Sequence, residues 1–400
     1  MQRKQIPVSE LEFGMYVAAL DREWEGTPFA YQGFHLRSDA QLQALRKFCT
    51  TVQIDLDQDQ TTAEGTAAPP PPLKGVHKAV YKESVPIERE LAPARDVFAS
   101  SELVITAALK SSVAGRSVDA AALKTEVTKV TESVLRNPHA VALLSVMREG
   151  AEYLVDRAMH SSVYMIMFTR FLGMERADIE RAGLVGLLQD VAMARVPNEL
   201  VMKKGVLSPD EQALVRLHVQ QGVEQITATK GLGPEVAHLA SMHHERFDGS
   251  GYPKGLRGTE IPTIAACSAL VDTYSAMTRA RPYAEPMPPS KVLGLLHRWR
   301  GKTFHATLVE EFIRCVGPFP VGSVVELGSG EVGIVISQEA EKRLQPRVMV
   351  VRDAAGNPLR PQKLIDLSRV PSAGNDDAYR IRRTIEYGRS GVGLRDVILQ

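Results

Sequence analysis

Potential metal ligands recur through the middle of this 400-residue chain at a nearly constant spacing. The intervals are 29, 28, 25 and 29 residues, counted along His160, Gln189-Asp190, His218, His243-His244 and Asp272. Such a step fits one helix and its return connection, so an antiparallel bundle brings each side chain back to about the same level. Asp156 lies four residues before His160 and shares its predicted helix face. The spacing therefore predicts a helical bundle whose inward-facing side chains share metal ions.

The sequence around the paired histidines suits metal and phosphate chemistry. His243 and His244 precede Glu245 and the glycine-rich run from Asp248 to Pro253. Imidazole is a good ligand for Zn, Fe and Mn, and glycine lets backbone amides approach an anion closely. A single histidine, or even an adjacent pair, is more often an ordinary polar residue at a helix surface. The whole series is not explained that way, and it points to a phosphodiester site.

These residues together give a family resemblance. The segment from about Asp156 to Tyr283, roughly a third of the chain, resembles an HD-GYP domain, a branch of the HD metal-dependent phosphohydrolases. The matches in chain order are His160-Ser161, Asp190, Leu207-Ser208 with Glu211, His218 with Gly222, HHERFDGSGYP from His243 to Pro253, Gly255-Leu256, Asp272 with Ala276-Met277-Thr278, and Arg281-Pro282-Tyr283. The resemblance implies a mainly α fold built on an HD-type helical bundle. It also implies the activity of a cyclic di-GMP phosphodiesterase, a phosphoric diester hydrolase.

The resemblance implies a centre with two divalent transition metal ions, iron, manganese or zinc. The implied ligands are His160, the doublet position Gln189, Asp190 and Asp272 for the first ion, with Asp156 where a glutamate is often found, and Asp190, His218, His243 and His244 for the second. The catalytic residues that the resemblance implies are Asp190, His160 and Asp272. Ions in such hydrolases activate water and stabilise the charge that develops on the phosphoryl oxygens.

The resemblance places the substrate against the glycine-rich turn. We expect Tyr252 and the backbone of Gly249 and Gly251 to contact cyclic di-GMP, and Arg281 to clamp a phosphate because its planar fork suits bidentate contacts. In the family this turn is also thought to meet diguanylate cyclase domains, which are therefore expected partners. A purely structural turn and a surface ion pair of Arg281 are the alternatives.

The chain departs from the family pattern at positions that carry chemistry. The family has His-Asp-x-Gly-Lys where this chain has Gln189 to Met193, and Ser275 and Ala284 stand where a second aspartate and a lysine are usual. The amide oxygen of Gln189 is a poor replacement for an imidazole nitrogen on a first-row transition ion. Met193 and Ala284 remove two cations that face substrate phosphates, each typically worth on the order of 10² to 10³ in rate. We therefore expect one or two bound ions, with a weak first site.

Three hypotheses follow, and the first two place the protein in bacterial second-messenger signalling. In the first, the domain has a degenerate metal site and binds cyclic di-GMP, partner proteins or both, with weak or no hydrolysis. In the second, it is an active phosphodiesterase that yields pGpG or GMP. The direction of the substitutions favours the first. In the third, the histidines only pack within a relict bundle, but drift would have eroded His218 and His243 as readily as the doublet.

Composition narrows the remaining functions. A net charge of +1 gives no basic footprint for a nucleic-acid polymer. The three cysteines, Cys49, Cys267 and Cys315, neither frame disulfides nor match a zinc knuckle. No run approaches the roughly 18 to 20 apolar residues that span a bilayer, and the first residues do not resemble a signal peptide. We therefore expect a protein of the reduced cytoplasm, without a membrane span.

Composition breaks divide the chain into five segments. Residues 1–60 predict a small α+β N-terminal domain, which resembles the uncharacterised domain often found ahead of HD-GYP domains. A proline-rich linker follows at 61–86, and apolar residues at helical spacing over 87–150 predict a hairpin that packs on the bundle and is a potential homodimer contact. The HD-GYP helical domain spans 151–320. Period-two patterning over 321–400 predicts a short β extension, a hairpin or three-stranded sheet, with a charged tail from Ser372.

Local patterns place several elements more closely. We predict a helix from Asp39 to Cys49, a strand at Val52 to Ile54, and an apolar helix from Arg181 that sets Asp190 at its inner end. Ser208, followed by proline, predicts the start of the helix that carries His218. The paired histidines are expected on a helix that ends before the glycine-rich turn. Trp24 and Phe29 predict either a ligand pocket or, more simply, core packing.

Overall fold

A computed structural model describes residues 3–22, 33–36, 39–55, 72–147, 152–279, 285–339, 342–369 and 377–385. Helices make up most of these ranges, and small sheets lie near the two ends of the chain. The predicted mainly α class, with a small α+β N-terminal part and a β extension, is confirmed. Trp24, Phe29, the prolines at 69–71 and residues 372–376 and 386–400 of the predicted tail lie outside the described residues.

The N-terminal residues form an antiparallel sheet with one helix. Its elements are β1 (Arg3–Pro7), β2 (Tyr16–Leu20), β3 (Phe34–His35), α1 (Asp39–Phe48) and β4 (Thr51–Asp55), with strand order β1-β4-β2-β3. Val52 and Ile54 pack with Val17 and Leu45 in a core of their own. The predicted helix and the strand at Val52 are both present. β1 was not predicted, because its sequence RKQIP carries only one large apolar residue, Ile6.

The next helices form the predicted hairpin and one further helix. They are α2 (Ile87–Val113), α3 (Ala120–Arg136) and α4 (Pro138–Met147). Buried Glu90 ties α2 to α3, since it accepts two hydrogen bonds from Arg136 at 2.8 Å and one from Ser133 at 2.7 Å. Apolar side chains of these helices join those of the following helices in one continuous core. The hairpin therefore packs on the bundle.

The helical body follows. It contains α5 (Tyr153–Phe171), α6 (Arg176–Leu188), α7 (Asn198–Val201), α8 (Pro209–Ala228), α9 (Pro234–Ala240), α10 (Thr263–Thr278), α11 (Pro289–Trp299) and α12 (Ala306–Val316). α5 and α6 lie close together because Gly186 faces the backbone of α5, where a Cβ would come within 2.8 Å of the Ser161 carbonyl oxygen. α8 begins after Ser208, as predicted, and the cap is reciprocal: the Ser208 hydroxyl accepts from the Glu211 amide, and the Glu211 carboxylate accepts from the Ser208 amide. None of the described helices combines the length and apolar character of a membrane-spanning segment.

The C-terminal sheet is larger than the predicted hairpin or three strands. It contains β5 (Val324–Leu327), β6 (Val332–Ser337), β7 (Arg347–Arg352), β8 (Pro358–Asp366) and β9 (Ile381–Thr384), all antiparallel, in the order β8-β7-β6-β5-β9. The two missed strands, PLRPQKLID and IRRT, form its edges. Edge strands tolerate charge and proline because one side of their backbone is unpaired, and such residues hide the apolar alternation.

Candidate metal centre

Helices and the turns that follow them carry the predicted ligands. His160 lies within α5, His218 within α8 and Asp272 within α10, whereas Gln189 and Asp190 directly follow α6. The prediction that the paired histidines lie on a helix is wrong, because α9 ends at Ala240 and the chain continues in i to i+3 turns. Adjacent side chains on a helix diverge by about 100°. The tighter turn is therefore what allows both rings to face one centre.

Four of the predicted ligands form a compact group. In the part of the chain that the structure describes, Asp190, His218, His243 and His244 are the one set of three or more such side chains whose ligand atoms all lie within 4.8 Å of one another. Asp190 Oδ1 is 3.5 Å from His218 Nε2 and 3.7 Å from His243 Nε2. The two Nε2 atoms are 3.3 Å apart. The group has the size of a single coordination sphere.

Hydrogen bonds on the far side of the rings set which nitrogen faces the centre. His218 Nδ1 lies 2.6 Å from the Val215 carbonyl oxygen, and His243 Nδ1 lies 2.7 Å from that of Ala240. A carbonyl oxygen only accepts, so each Nδ1 carries the hydrogen and each neutral ring turns the lone pair of Nε2 inward. Asp190 Oδ1, which is buried, has no hydrogen-bond partner among the described residues. Three electron-rich atoms thus converge without a donor, an arrangement that fits a bound cation.

Protonation states favour metal binding at most of these side chains. Burial lowers the pKa of His218, and burial together with His243 lowers that of His244 to well below its usual value. Burial alone raises the pKa of Asp190, but Arg157 and then His243 override it and hold the pKa well below its usual value. Burial also opposes the charged form of His243, yet Asp190 raises its pKa. Ionised aspartate and neutral imidazoles are the forms that bind metal. A proton therefore competes with the metal ion most strongly at His243.

The residues implied for the first ion are bonded to other protein groups. The Arg157 guanidinium lies between Asp190 and Asp272, at 2.7 Å from each carboxylate. Gln189 donates to Asp272 through Nε2 at 3.2 Å and accepts from Ser268 through Oε1.

His160 and Asp156, the two remaining ligands implied for the first ion, also contact protein groups. His160 Nδ1 is 2.8 Å from Ser275 Oγ, and burial lowers the pKa of this histidine well below its usual value. Asp156 is held by Arg279 through two hydrogen bonds, at 2.7 and 2.9 Å. The Nδ1 bond leaves Nε2 of His160 available, but Gln189, Asp272 and Asp156 are all bonded to protein groups, so the residues present do not fit an ion at the position implied for the first ion.

The glycine-rich turn covers the open side of the centre. Tyr252 stacks on His244 with ring centroids 4.6 Å apart, and the exposed Arg216 guanidinium lies 4.5 Å from the centre of the Tyr252 ring. Buried Glu245 holds the turn in place by accepting from the backbone amides of Lys254 and Leu256 at 2.8 and 3.0 Å. An aromatic face and a cation therefore flank the centre. Arg281 and Ala284 lie outside the described residues.

Several residues of the centre were not predicted from the sequence. Arg157, Arg216 and Arg279 were not singled out, and Glu245 was given no role. A signal existed for Arg157, since it is a charged residue one turn before His160 on a helix that is almost wholly buried from Ala158 to Thr169. Buried arginine next to predicted carboxylate ligands is a pattern that a sequence search can use.

Comparison with known proteins agrees with this geometry. The family model "HD domain" matches residues 142–308, and "Domain of unknown function (DUF3391)" matches residues 3–123. Cyclic di-GMP phosphodiesterase PA4108 of Pseudomonas aeruginosa is 32% identical over 380 residues, covering 94% of this chain and 90% of that protein. The chain belongs to the HD-GYP family. As an HD-GYP protein, it comes from a metal-dependent superfamily, in line with the group around Asp190.

Other relatives match a smaller share of the chain. The cyclic di-GMP phosphodiesterase response regulator RpfG of Xanthomonas campestris is 32% identical over 144 residues, 36% of this chain and 38% of its own. The 3'3'-cGAMP-specific phosphodiesterase 2 of Vibrio cholerae is 30% identical over 150 residues, 37% of this chain and 29% of its own. Among solved structures, Bd1817, a HDG"Y"P protein from Bdellovibrio bacteriovorus, has a TM-score of 0.42 at 16% identity, covering 78% of this chain and 98% of that one.

Proposed function

We propose that this HD-GYP protein binds cyclic di-GMP at a degenerate metal centre and hydrolyses it weakly or not at all. The observation that carries the proposal is the contrast within the centre. Asp190, His218, His243 and His244 converge on one point with an unpaired carboxylate oxygen, whereas the residues of the other ion position are bonded to protein partners. The proposed protein therefore keeps one metal site and lacks the other.

The ligand chemistry follows from the groups around that point. A divalent ion held by the four side chains would supply Lewis-acid contact to a phosphate oxygen. Arg216, whose guanidinium lies over the Tyr252 ring beside the centre, offers a planar cation for the second phosphate. Met193 leaves the third position after Asp190 without the cation that is usual in the family. The bound cyclic di-GMP therefore keeps its contacts, whereas the transition state of hydrolysis loses part of the stabilisation of its developing charge.

An active phosphodiesterase that yields pGpG or GMP is the second candidate. The observation in its favour is the 32% identity, over nearly the whole chain, to a protein named as a cyclic di-GMP phosphodiesterase. Three Vibrio cholerae relatives are named as specific for 3'3'-cGAMP, so this dinucleotide belongs in the same test. Cytoplasmic action, diguanylate cyclase partners and a homodimer stay predictions from the sequence.

The test measures binding and turnover on the same full-length protein loaded with Mn²⁺. We expect saturable binding of cyclic di-GMP by calorimetry, with product formation at least about 100-fold below that of an HD-GYP phosphodiesterase with an intact His-Asp doublet assayed in parallel. Turnover near that of the intact enzyme would establish the second candidate instead. Absence of binding to cyclic di-GMP would overturn the proposal, and binding to 3'3'-cGAMP alone would change its ligand.

Arg216 allows the binding part to be tested without disturbing the metal ligands. Arg216→Ala should weaken cyclic di-GMP binding by roughly tenfold, because it removes a phosphate contact and the cation on the Tyr252 ring. Arg89 is a matched control, since it is another exposed arginine, on α2 and away from these contacts. Arg89→Ala should bind cyclic di-GMP like the wild type. Equal affinities for both variants would remove Arg216 from the binding site.

A further inference from the structure

Arg157 contacts three protein groups of the centre. Its Nε donates to Asp190 Oδ2 and its Nη2 donates to Asp272 Oδ1, each at 2.7 Å. Its Nη1 donates to the Tyr153 hydroxyl at 3.2 Å. Only 13% of the side chain is exposed. Each of the three guanidinium nitrogens therefore donates a hydrogen bond to a protein group, and two of these bonds hold the carboxylates.

Electrostatics explain why a cation lies at this place. The Asp190 and Asp272 side chains are 8% and 4% exposed, and both face the same guanidinium. Two buried carboxylates side by side are costly unless a positive charge compensates them. In a metal centre an ion supplies that charge. Here the Arg157 guanidinium supplies the positive charge, and its planar set of N–H donors suits two carboxylates.

The two oxygens of Asp190 have separate partners. Oδ2 is taken by Arg157, whereas Oδ1 faces the Nε2 atoms of His218 and His243 and has no hydrogen-bond partner among the described residues. The guanidinium thus fixes the rotation of the carboxylate. One oxygen is held on the protein side, and the other is presented to the histidine group.

We propose that Arg157 is a built-in cation that replaces one of two metal ions and positions Asp190 for the other. The centre consequently holds one divalent ion per chain, at Asp190, His218, His243 and His244. The missing imidazole at Gln189 is then one barrier to a second ion, and the position occupied by the guanidinium is another. This inference rests on the metal site of the proposed function, but it does not depend on which nucleotide binds or on whether turnover occurs.

The experiment counts metal ions on the full-length protein. Each sample is equilibrated with Mn²⁺, freed of unbound ion, and analysed by elemental mass spectrometry together with calorimetric titration. We expect one Mn²⁺ per chain for the wild type and one for Gln189→His. The double variant Gln189→His, Arg157→Ala should bind two, because it restores the imidazole and also removes the guanidinium. Two ions on the wild type or on Gln189→His would overturn the proposal.

Arg136 provides a control outside the predicted ligand set. Its guanidinium donates two hydrogen bonds of 2.8 Å to buried Glu90, which is not a predicted metal ligand. Gln189→His, Arg136→Ala removes a carboxylate-bound guanidinium that does not touch the centre and should keep one Mn²⁺. A gain of the second ion in this variant as well would show that loss of any such positive charge suffices, which contradicts a specific role of Arg157.

Folding is checked by circular dichroism and thermal melting of each variant. If Arg157→Ala fails to fold, Arg157→Lys keeps the charge and should bind one ion more weakly, since an ammonium cannot hold both carboxylates in the same plane. Unchanged Mn²⁺ affinity in Arg157→Lys would contradict the positioning role. The number of Mn²⁺ ions bound per wild-type chain tests the proposal even if no variant folds. One ion without nucleotide binding would overturn the proposed function alone, and two ions with nucleotide binding would overturn this inference alone.

Discussion

Replacing His243 by alanine should strip the centre of its metal ion. The His243 ring is fully buried, its Nδ1 is fixed by the Ala240 carbonyl, and its Nε2 lies 3.7 Å from Asp190 Oδ1. Loss of a residue that only orients a ligand typically weakens metal affinity 10- to 100-fold, so loss of a ligand itself should cost at least about 100-fold. Calorimetric titration with Mn²⁺ measures the effect directly. His244→Ala and His218→Ala should behave alike.

The chain supplies two informative controls for this prediction. His238 lies on α9, five residues before His243, but is exposed and outside the group, so His238→Ala should bind Mn²⁺ like the wild type. His160 is a predicted ligand that instead contacts Ser275 and stacks on Tyr164. His160→Ala should therefore change Mn²⁺ affinity far less than His243→Ala. Equal losses at His160 and His243 would mean that the ion is held differently, and unchanged metal content in His243→Ala would refute the site.

The spacing of residues along the sequence was enough to predict the helical body and the four side chains that the fold brings together, Asp190, His218, His243 and His244. The series of potential ligands from His160 to Asp272 led to this prediction because each interval corresponds to one helix and its return connection, and a bundle brings such positions to one level. The cap at Ser208 and the short strand at Val52 were predicted from local chemistry alone. The cap and the strand each depend on residues that are near one another in the chain, and they can therefore be predicted from the sequence.

What the sequence did not reveal depends on pairing between distant side chains. Arg157 bonds Asp190 and Asp272, which are 33 and 115 positions away, and the sequence around Arg157 does not show which distant carboxylates it contacts. The paired histidines were expected on a helix, since a turn of i to i+3 bonds has no distinct signature there. Edge strands β8 and β9 were missed because their unpaired sides tolerate charge.

Gly251→Ala should disrupt the turn that covers the centre. A Cβ at this position would lie 2.4 Å from the Arg246 amide nitrogen and 2.5 Å from both the Glu245 Cα and the His244 carbonyl oxygen. These are backbone atoms, which cannot rotate away as a flexible side chain could, so the turn itself must shift. Overpacking of this kind typically costs about 1 to 3 kcal/mol. The shift separates Tyr252 from His244, and we expect cyclic di-GMP affinity to fall by about tenfold or more, equivalent to about 1.4 kcal/mol.

Thermal melting and cyclic di-GMP titration of Gly251→Ala are the measurements, and Gly294→Ala is the control. Gly294 lies within α11, where a Cβ would meet nothing within 4 Å, so alanine there should be neutral or stabilise the helix by up to about 1 kcal/mol. Wild-type stability and affinity in Gly251→Ala would mean that the turn is less closely packed against His244 than the contact distances require. A lower melting temperature with unchanged affinity would separate the two roles, because the turn would then support the fold without forming the nucleotide site.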